Sequence, residues 1–274
     1  MPSSVTSIFS EPDDYCAALR KDGVLNVVAT RGGIFRARLT QIVLHRLRLT
    51  AGEEELPRIA FVTVPAGMMM VALPVGGKPS PVWGGIELRT GEIITLGEGQ
   101  CAHVRIDGLC RWATLLVPSE DIVQYAASLS EGVLDIPSAA RWRPKSAVSR
   151  QFRQLCLAAI RVAESRSKAV IDNQAAHGLE QQLLDALGRC LVGAPDFRET
   201  SVNHRDRVTL GRFDELLQSE AARETADLSA ALGVSERKLR TCCRKHLGVN
   251  PSTYIRLLQM QLRQRLPEGF AGHV

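Results

Sequence analysis

The chain has 274 residues, of which 45% are hydrophobic and 23% are charged, and its formal net charge is +5. This length suits two domains with separate cores, and a mean hydropathy of −0.02 is typical of a water-soluble protein. No run of about 18 apolar residues exists, and the N-terminus lacks the basic and then apolar order of a signal peptide. We therefore expect a cytoplasmic protein without membrane contact.

The positive charge is concentrated near the C-terminus. Residues 205–274 contain twelve basic and eight acidic residues, a surplus of four, which leaves a net charge of +1 for residues 1–204. The basic excess therefore belongs to the C-terminal part of the chain. The seven cysteines form no Cys-x-x-Cys pair and lie mostly among apolar neighbours, which predicts reduced core residues.

The first 140 residues or so predict a small β-sandwich or barrel, because short alternating or apolar runs are separated by Gly and Pro turns. The seven runs that we interpret as strands are 39–49, 59–64, 68–74, 85–88, 92–96, 102–106 and 111–117. His45 and His103 are the only histidines here and form no His-x-His, so we expect no metal site. His103 and Cys101 have no third residue in view that would orient them, so we expect no catalytic residue.

Residues 141–193 predict two helices. Apolar residues recur at helical spacing from Val148 onward, and after a break near 165–168 a second apolar stripe runs along 176–191. The sequence leaves open whether this stripe packs within its own domain or forms a dimer interface, for which the polar flanks Glu180, Gln181 and Gln182 are suited. Residues 194–206 are polar and lack periodicity, which predicts a linker.

Residues 225–247 predict two short helices broken by Gly233-Val234-Ser235, and Ser235 can cap the second helix. One side of that helix predicts contact with a core, since it carries Leu239, Cys242, Cys243 and His246. The other side carries Arg237, Arg240, Thr241 and Arg244 at helical spacing, with Lys238 and Lys245 at its flank. This second face predicts contact with anions.

In a helix-turn-helix, the second helix enters the major groove with its N-terminal residues against base edges, while further basic residues meet phosphates. The predicted base contacts are Arg237, Arg240 and Thr241. The predicted phosphate contacts are Lys238, Arg244 and Lys245. An arginine can donate two hydrogen bonds to guanine, a pairing worth about 1 to 3 kcal/mol of discrimination. A basic face that is simply solvated is the alternative that this helix alone leaves open.

Residues 208–266 resemble the first helix-turn-helix and the following linker helix of the AraC-type transcriptional regulators. The residues that stand at the family's spacing are Gly233, Ser235, Leu239, Leu247, Gly248, Pro251 and Tyr254. An upstream helix predicted over 209–222 and a linker helix over 251–266 fit the same scheme. In layout, the first 140 residues are similar to the cupin-like N-terminal domain of a subgroup of this family, with 115–122 placed like its last strand and following helix.

The resemblance implies an α+β protein with a cupin-like sensory domain over 1–140, helices over 141–193, a linker over 194–206 and a helix-turn-helix DNA-binding domain over 207–266. It implies a sequence-specific transcriptional regulator that binds double-stranded DNA, is not an enzyme and needs no cofactor. A small-molecule effector, a second copy of the chain and RNA polymerase are further partners that it leaves open.

The chain also departs from the family, whose DNA-binding domain contains two helix-turn-helix units. Residues 267–274 are expected to form only a tail, because Pro267, Gly269 and Gly272 disfavour a further helix. Arg223 and Glu224 stand where the family has an apolar residue and a hydroxyl cap. Without a second unit, part of the linker-helix stripe is expected to lack a partner; this stripe is Ile255, Leu258, Leu262 and Leu266. The alternative function is therefore a truncated regulator that has lost autonomous DNA binding and acts as a dimerising interaction protein.

Overall fold

The computed structural model describes residues 2–128, 136–165, 172–192, 197–198, 201–218 and 225–265. Its strands are β1 (Ser3–Phe9), β2 (Val24–Ala29), β3 (Ala37–Val43), β4 (Arg48–Glu54), β5 (Arg58–Thr63), β6 (Met68–Gly77), β7 (Val82–Trp83), β8 (Ile86–Glu87), β9 (Ile93–Leu96), β10 (Cys101–Ile106), β11 (Cys110–Pro118), β12 (Ala139–Trp142) and β13 (Phe197–Arg198). Its helices are α1 (Pro12–Leu19), α2 (Ser119–Ser128), α3 (Ser146–Ser165), α4 (Asn173–Leu191), α5 (Ser201–Gln218), α6 (Thr225–Ala231), α7 (Glu236–His246) and α8 (Pro251–Arg265). None of these helices has the length and apolar character needed to cross a membrane.

Two antiparallel sheets share one core. The first sheet has eight strands in the order β1-β3-β4-β11-β6-β9-β12-β13, and the second has five in the order β2-β5-β10-β7-β8. Side chains alternate between the two faces of a strand, so β6 places Met70 and Ala72 in the core between the sheets and Val71 and Leu73 on the outer face of the first sheet. The structure confirms the β-sheet character predicted for the first 140 residues or so, as two packed sheets.

Helices α3 and α4 cover the outer face of the eight-stranded sheet. Phe152, Leu183 and Leu187 are fully buried in the same cluster as Val71. The stripe predicted along 176–191 therefore packs within its own chain. Glu180, predicted as a polar flank suited to a helix pair, is instead buried, and its Oε2 accepts hydrogen bonds from the Arg46 N–H (2.8 Å) and the Leu47 N–H (3.1 Å). It satisfies backbone donors at the turn between β3 and β4.

Helices α5 to α8 cover the outer face of the five-stranded sheet. Val28 of β2 and Ile59 of β5 belong to one buried cluster with residues of these helices. Ile255 and Leu258, which were expected to lack a partner, are both only 7% exposed, because this sheet face covers them. The side chains of Leu262 and Leu266, residues 223–224 and the tail 267–274 lie outside the described residues.

Several element boundaries differ from the prediction. The run 39–49 is not one strand but the hairpin β3–β4, in which the Leu44 N–H donates to the Leu47 carbonyl at 2.9 Å. Both leucines are buried, so the apolar pattern continues through the turn and hides it. The sequence patterns also missed β1, β2, β12 and α1. The expectation for residues 115–122 is met in part: helix α2 follows β11, but β11 is not the last strand. Helix α5 begins at Ser201, inside the predicted linker.

Candidate nucleic-acid interface

Helix α7 is positioned by a capped turn and by its apolar side. Gly233 has a φ of 64°, a left-handed conformation that glycine adopts without strain. The Ser235 Oγ then accepts a hydrogen bond from the Lys238 N–H at 3.2 Å, which caps the helix as predicted. The predicted inner side is confirmed, because the buried residues of α7 are Leu239, Cys242, Cys243 and His246.

The opposite side of α7 is exposed to solvent. The exposed side chains here include Arg237, Arg240, Thr241 and Arg244. The Arg240 side chain is 52% exposed, and its Nη2 lies 3.9 Å from the Glu236 Oε2, at the outer limit of an ion pair. The Thr241 Oγ1 donates to the Arg237 carbonyl at 2.9 Å, which keeps its hydroxyl on the helix surface. This face therefore presents guanidinium groups to any partner that approaches α7.

The two lysines predicted as phosphate contacts are held by α5. The Lys238 Nζ lies 2.5 Å from Asp206 Oδ1, and the Lys245 Nζ lies 3.6 Å from Asp206 Oδ2. The Lys245 Nζ also donates to Asn203 Oδ1 at 2.7 Å. Asp206 is 5% exposed, so its carboxylate is a buried anchor between two lysines. Sequence reasoning missed Asp206, although it stands four residues before the buried Leu210 and hence on the apolar side of α5.

The ionisation of this cluster follows from its contacts. Burial by itself would raise the pKa of Asp206, but hydrogen bonds from Lys238 and Cys242, together with the charges of both lysines, hold that pKa below its ordinary value. The hydrogen bond to Asp206 correspondingly raises the pKa of Lys238. Both groups are therefore charged at neutral pH, and the pair draws Lys238 toward the protein.

The adjacent cysteines of α7 are inert thiols. Burial raises the pKa of Cys242 to about 11 and raises that of Cys243 further. A thiol in this state supplies little of the thiolate that redox and metal chemistry require. All seven cysteines lie among the described residues and none of them forms a disulfide; six are buried, as expected of core residues, and Cys101 is partly exposed.

A buried polar network joins the five-stranded sheet to the helices. The His103 Nε2 of β10 lies 2.5 Å from the Asp214 Oδ2 of α5, and the Tyr254 hydroxyl of α8 donates to the Asp214 Oδ1 at 2.9 Å. Arg207 of α5 donates to the Cys101 carbonyl at 2.5 Å. His103 thus has the orienting carboxylate that the sequence did not reveal, supplied from 111 residues away, and its ring serves to attach α5.

No group of three or more His, Cys, Asp or Glu side chains with the arrangement of a metal site occurs in the part of the chain that the structure describes. His45, for example, contacts the ring of His177 and the Asn173 carbonyl. Neither contact brings a carboxylate or thiol beside its ring.

The arrangement of a two-sheet β domain with helices on both outer faces has a counterpart among solved structures. The chain is similar over 96% of its length to the crystal structure of the AraC-like transcriptional activator CuxR, with a TM-score of 0.52 and 14% sequence identity over 95% of that chain. This likeness is one of fold.

Two structures of ToxT from Vibrio cholerae are more distantly similar. The apo form of a ToxT variant shows 10% identity and a TM-score of 0.36, over 80% of this chain and 81% of that one. Wild-type ToxT bound to an unsaturated fatty acid shows 9% identity and a TM-score of 0.26, over 93% of this chain and 95% of that one. No protein-family model and no curated protein matches the chain.

Proposed function

We propose that this protein is a transcriptional regulator that binds double-stranded DNA in a sequence-specific manner, with α7 in the major groove. The observation that carries the proposal is the two-sided character of α7, whose guanidinium groups are exposed while its apolar side is buried against α5 and α8. Its arrangement after a short turn from α6 suits insertion of its N-terminal half into the groove. The likeness in fold to an AraC-like activator supports the same reading.

The side chains of α7 divide into two roles. Arg237, Arg240 and Thr241 lie in the half nearest Ser235 and contact base edges. Arg244 contacts the phosphate backbone. Lys238 and Lys245 also contact phosphates, but each must exchange its present bond to Asp206 for one to DNA.

The β domain is the sensory part of this regulator, and β5 and β10 are its coupling elements. Ala60 and Val104 of these strands face the core between the sheets, whereas Ile59 and His103 face the helices. An effector that repacks the core moves the opposite faces of the same strands, and with them α5 and α7.

The proposal is tested by selecting genomic DNA fragments on the purified chain and by measuring affinity for the selected sequence at several salt concentrations. Arg240→Ala should relax the preference at one base pair by about 1 to 3 kcal/mol. Lys245→Ala should weaken binding to all sequences alike and make the affinity depend less steeply on salt concentration. The matched control is Arg150→Ala, which removes an exposed arginine of α3 and should change neither the base-pair preference nor the salt dependence of binding.

A second variant tests the anchor on α5. Asp206→Asn keeps the shape of the side chain but removes the charge that holds Lys238 and Lys245. We expect tighter binding to all sequences, because neither lysine then gives up an ion pair with Asp206 when it contacts a phosphate. Absence of sequence-selective binding in the wild-type chain, or identical behaviour of the Arg240 and Lys245 variants, contradicts the proposal.

A further inference from the structure

In the described part of the chain the two sheets have four edge strands, and β1 differs from the other three. It is first in the order of the eight-stranded sheet and pairs with β3 through seven consecutive residues. No further strand among the described residues lies on its second edge. The edge of a sheet presents backbone N–H and C=O groups that can hydrogen-bond to another strand. β1 therefore has the length and regularity needed to extend the sheet by pairing with another chain.

The other three edge strands are short or covered. β8 and β13 each extend over two residues, and each contains a charged side chain. β2 is longer, but side chains of two helices reach its backbone. The Cys16 Sγ of α1 donates to the Leu25 carbonyl at 3.7 Å, and the Gln261 Nε2 of α8 donates to the Val27 carbonyl at 2.7 Å. Short length, charge and coverage are the usual means by which proteins keep sheet edges from pairing.

The sequence of β1 provides none of these protections. Its residues, SSVTSIF, include no charged side chain and no proline, and its register with β3 contains no bulge. Two apolar side chains of this strand are exposed: Val5 to 42% and Ile8 to 70%. An uncharged edge with exposed β-branched residues is the kind of edge that pairs with a further strand.

β1 is also held in place before any partner binds. The Thr6 Oγ1 lies 3.1 Å from the Thr40 Oγ1 of β3, and the Thr40 Oγ1 donates to the Glu164 Oε1 of α3 at 3.4 Å. On the opposite face of β1, the Phe9 ring packs edge-on against the ring of Tyr15, with 5.5 Å between their centroids. A strand that is already ordered loses little conformational entropy when it pairs.

The sequence of β1 is complementary to itself in an antiparallel pair. When two copies pair around a two-fold axis at Thr6, residues at equal distances on either side of Thr6 lie opposite each other. Each large side chain then lies opposite a serine; the pairs are Ile8 with Ser4, Phe9 with Ser3, and Val5 with Ser7. No charge meets a like charge across the axis. This pattern fits a second copy of the same strand.

We propose that two copies of the chain associate through β1, antiparallel and around a two-fold axis at Thr6, so that their eight-stranded sheets form one continuous sheet. The apolar stripe of α4, which the sequence left open as a dimer interface, is buried within its own chain and takes no part. β1 belongs to a different sheet from the one that carries α7, so association does not depend on whether the chain binds DNA.

The test measures the molar mass of the full chain without DNA by sedimentation equilibrium. We expect a dimer with a dissociation constant below about 100 µM. Val5→Lys and Val5→Glu should each weaken association by about fivefold or more, because the two copies of residue 5 are diagonal neighbours in this pairing and then carry like charges. The matched control is Leu109→Lys, which changes a residue that is 49% exposed between β10 and β11 and should leave the dissociation constant within about twofold.

An equimolar mixture of the two Val5 variants separates loss of the interface from loss of the fold. Lysine and glutamate are then diagonal neighbours, so the mixture should associate at least about fivefold more tightly than either variant alone. Thr6→Cys tests the position of the axis, since it places two thiols opposite each other at a distance that a disulfide spans. With oxidised glutathione as the oxidant, the two thiols form a disulfide and glutathione is reduced. A covalent dimer should appear on a non-reducing gel for Thr6→Cys and not for the wild-type chain or Leu109→Cys.

Four results overturn the proposal. The first is a wild-type chain that is monomeric at about 100 µM, which leaves the edge of β1 to a strand of another protein. The second is association of the Val5 variants as tight as that of the wild-type chain. The third is a mixture of the two Val5 variants that associates no better than either alone, and the fourth is the absence of a covalent dimer of Thr6→Cys.

Discussion

The β domain carries a helical layer on each of its outer faces, and apolar and polar contacts contribute to the two layers in different proportions. On the eight-stranded sheet, α3 and α4 contribute fully buried apolar side chains such as Phe152 and Leu187. On the five-stranded sheet, α5 to α8 add buried polar contacts to a smaller apolar cluster, among them His103 with Asp214 and the Gln261 Nε2 with the Val27 carbonyl at 2.7 Å.

The difference indicates which layer is permanent and which can be released. Apolar contact is non-directional, so small shifts of α3 and α4 lose little of it. Hydrogen bonds require distances and angles within narrow limits, so a shift of β10 against α5 breaks the bond between His103 and Asp214 outright. The attachment of the layer that carries α7 is therefore expected to be the more sensitive of the two to small displacements of the β domain.

Truncation in the apolar layer gives the largest expected effect. Phe152→Ala should lower the free energy of unfolding by about 4 kcal/mol, because it removes a fully buried ring and leaves a cavity under α3. Chemical denaturation followed by circular dichroism measures the change. A loss below about 1 kcal/mol would mean that this layer is not the permanent one.

Removal of the Asp214 carboxylate, which lies at the centre of the polar contacts of α5 and α8, gives the second largest expected loss in the free energy of unfolding. Asp214→Ala leaves His103 and Tyr254 buried without their shared acceptor, at an expected cost of about 3 kcal/mol. Hydrogen exchange should increase in α5 and α8 and remain unchanged in α3 and α4. The control is Asp185→Ala, which removes an exposed ion pair with Arg189 and should cost less than about 0.5 kcal/mol. Faster exchange in α3 to the same degree would contradict the separation of the two layers.

The pH dependence of the polar layer gives a smaller effect. Burial, reinforced by the charge of Lys245, lowers the pKa of His246 to about 4, against about 6.5 in an unfolded chain. The unfolded state thus binds one more proton than the folded state between these values, so the free energy of unfolding falls as the pH falls through this window. The pKa of Asp206 is lowered from its ordinary value, so this carboxylate does not contribute to the change within this pH window.

Between pH 7.5 and pH 5, His246 should account for a loss of about 2 kcal/mol in the free energy of unfolding. His246→Leu should remove most of this loss, and denaturation at the two pH values measures it. An unchanged pH slope in the variant would show that His246 can be protonated within the folded chain.

Helical periodicity correctly predicted the buried side of α7 and the positions of several other helices. The spacing of 239, 242, 243 and 246 established the buried side of α7, and the serine and glycine before it established where the helix begins. The bounds of α3, α4 and α8 follow from their apolar stripes in the same way. In the β domain, alternation found most inner strands, but the hairpin at 44–47 stayed hidden because its turn residues are themselves buried.

The sequence by itself determined which side of each helix is apolar and that the basic residues of α7 share the other side, because these properties depend on residues within two turns of one another. Only the tertiary structure decided that Asp206 holds Lys238 from 32 positions away, that Asp214 holds His103 from 111 away, and that Glu180 caps the β3–β4 turn rather than facing a second helix. Which strand of the described chain lies at the edge of a sheet is likewise decided only by the order of the strands. Contacts of this kind depend on how the helices and sheets pack, and local periodicity does not predict which distant charged group a given side chain will contact.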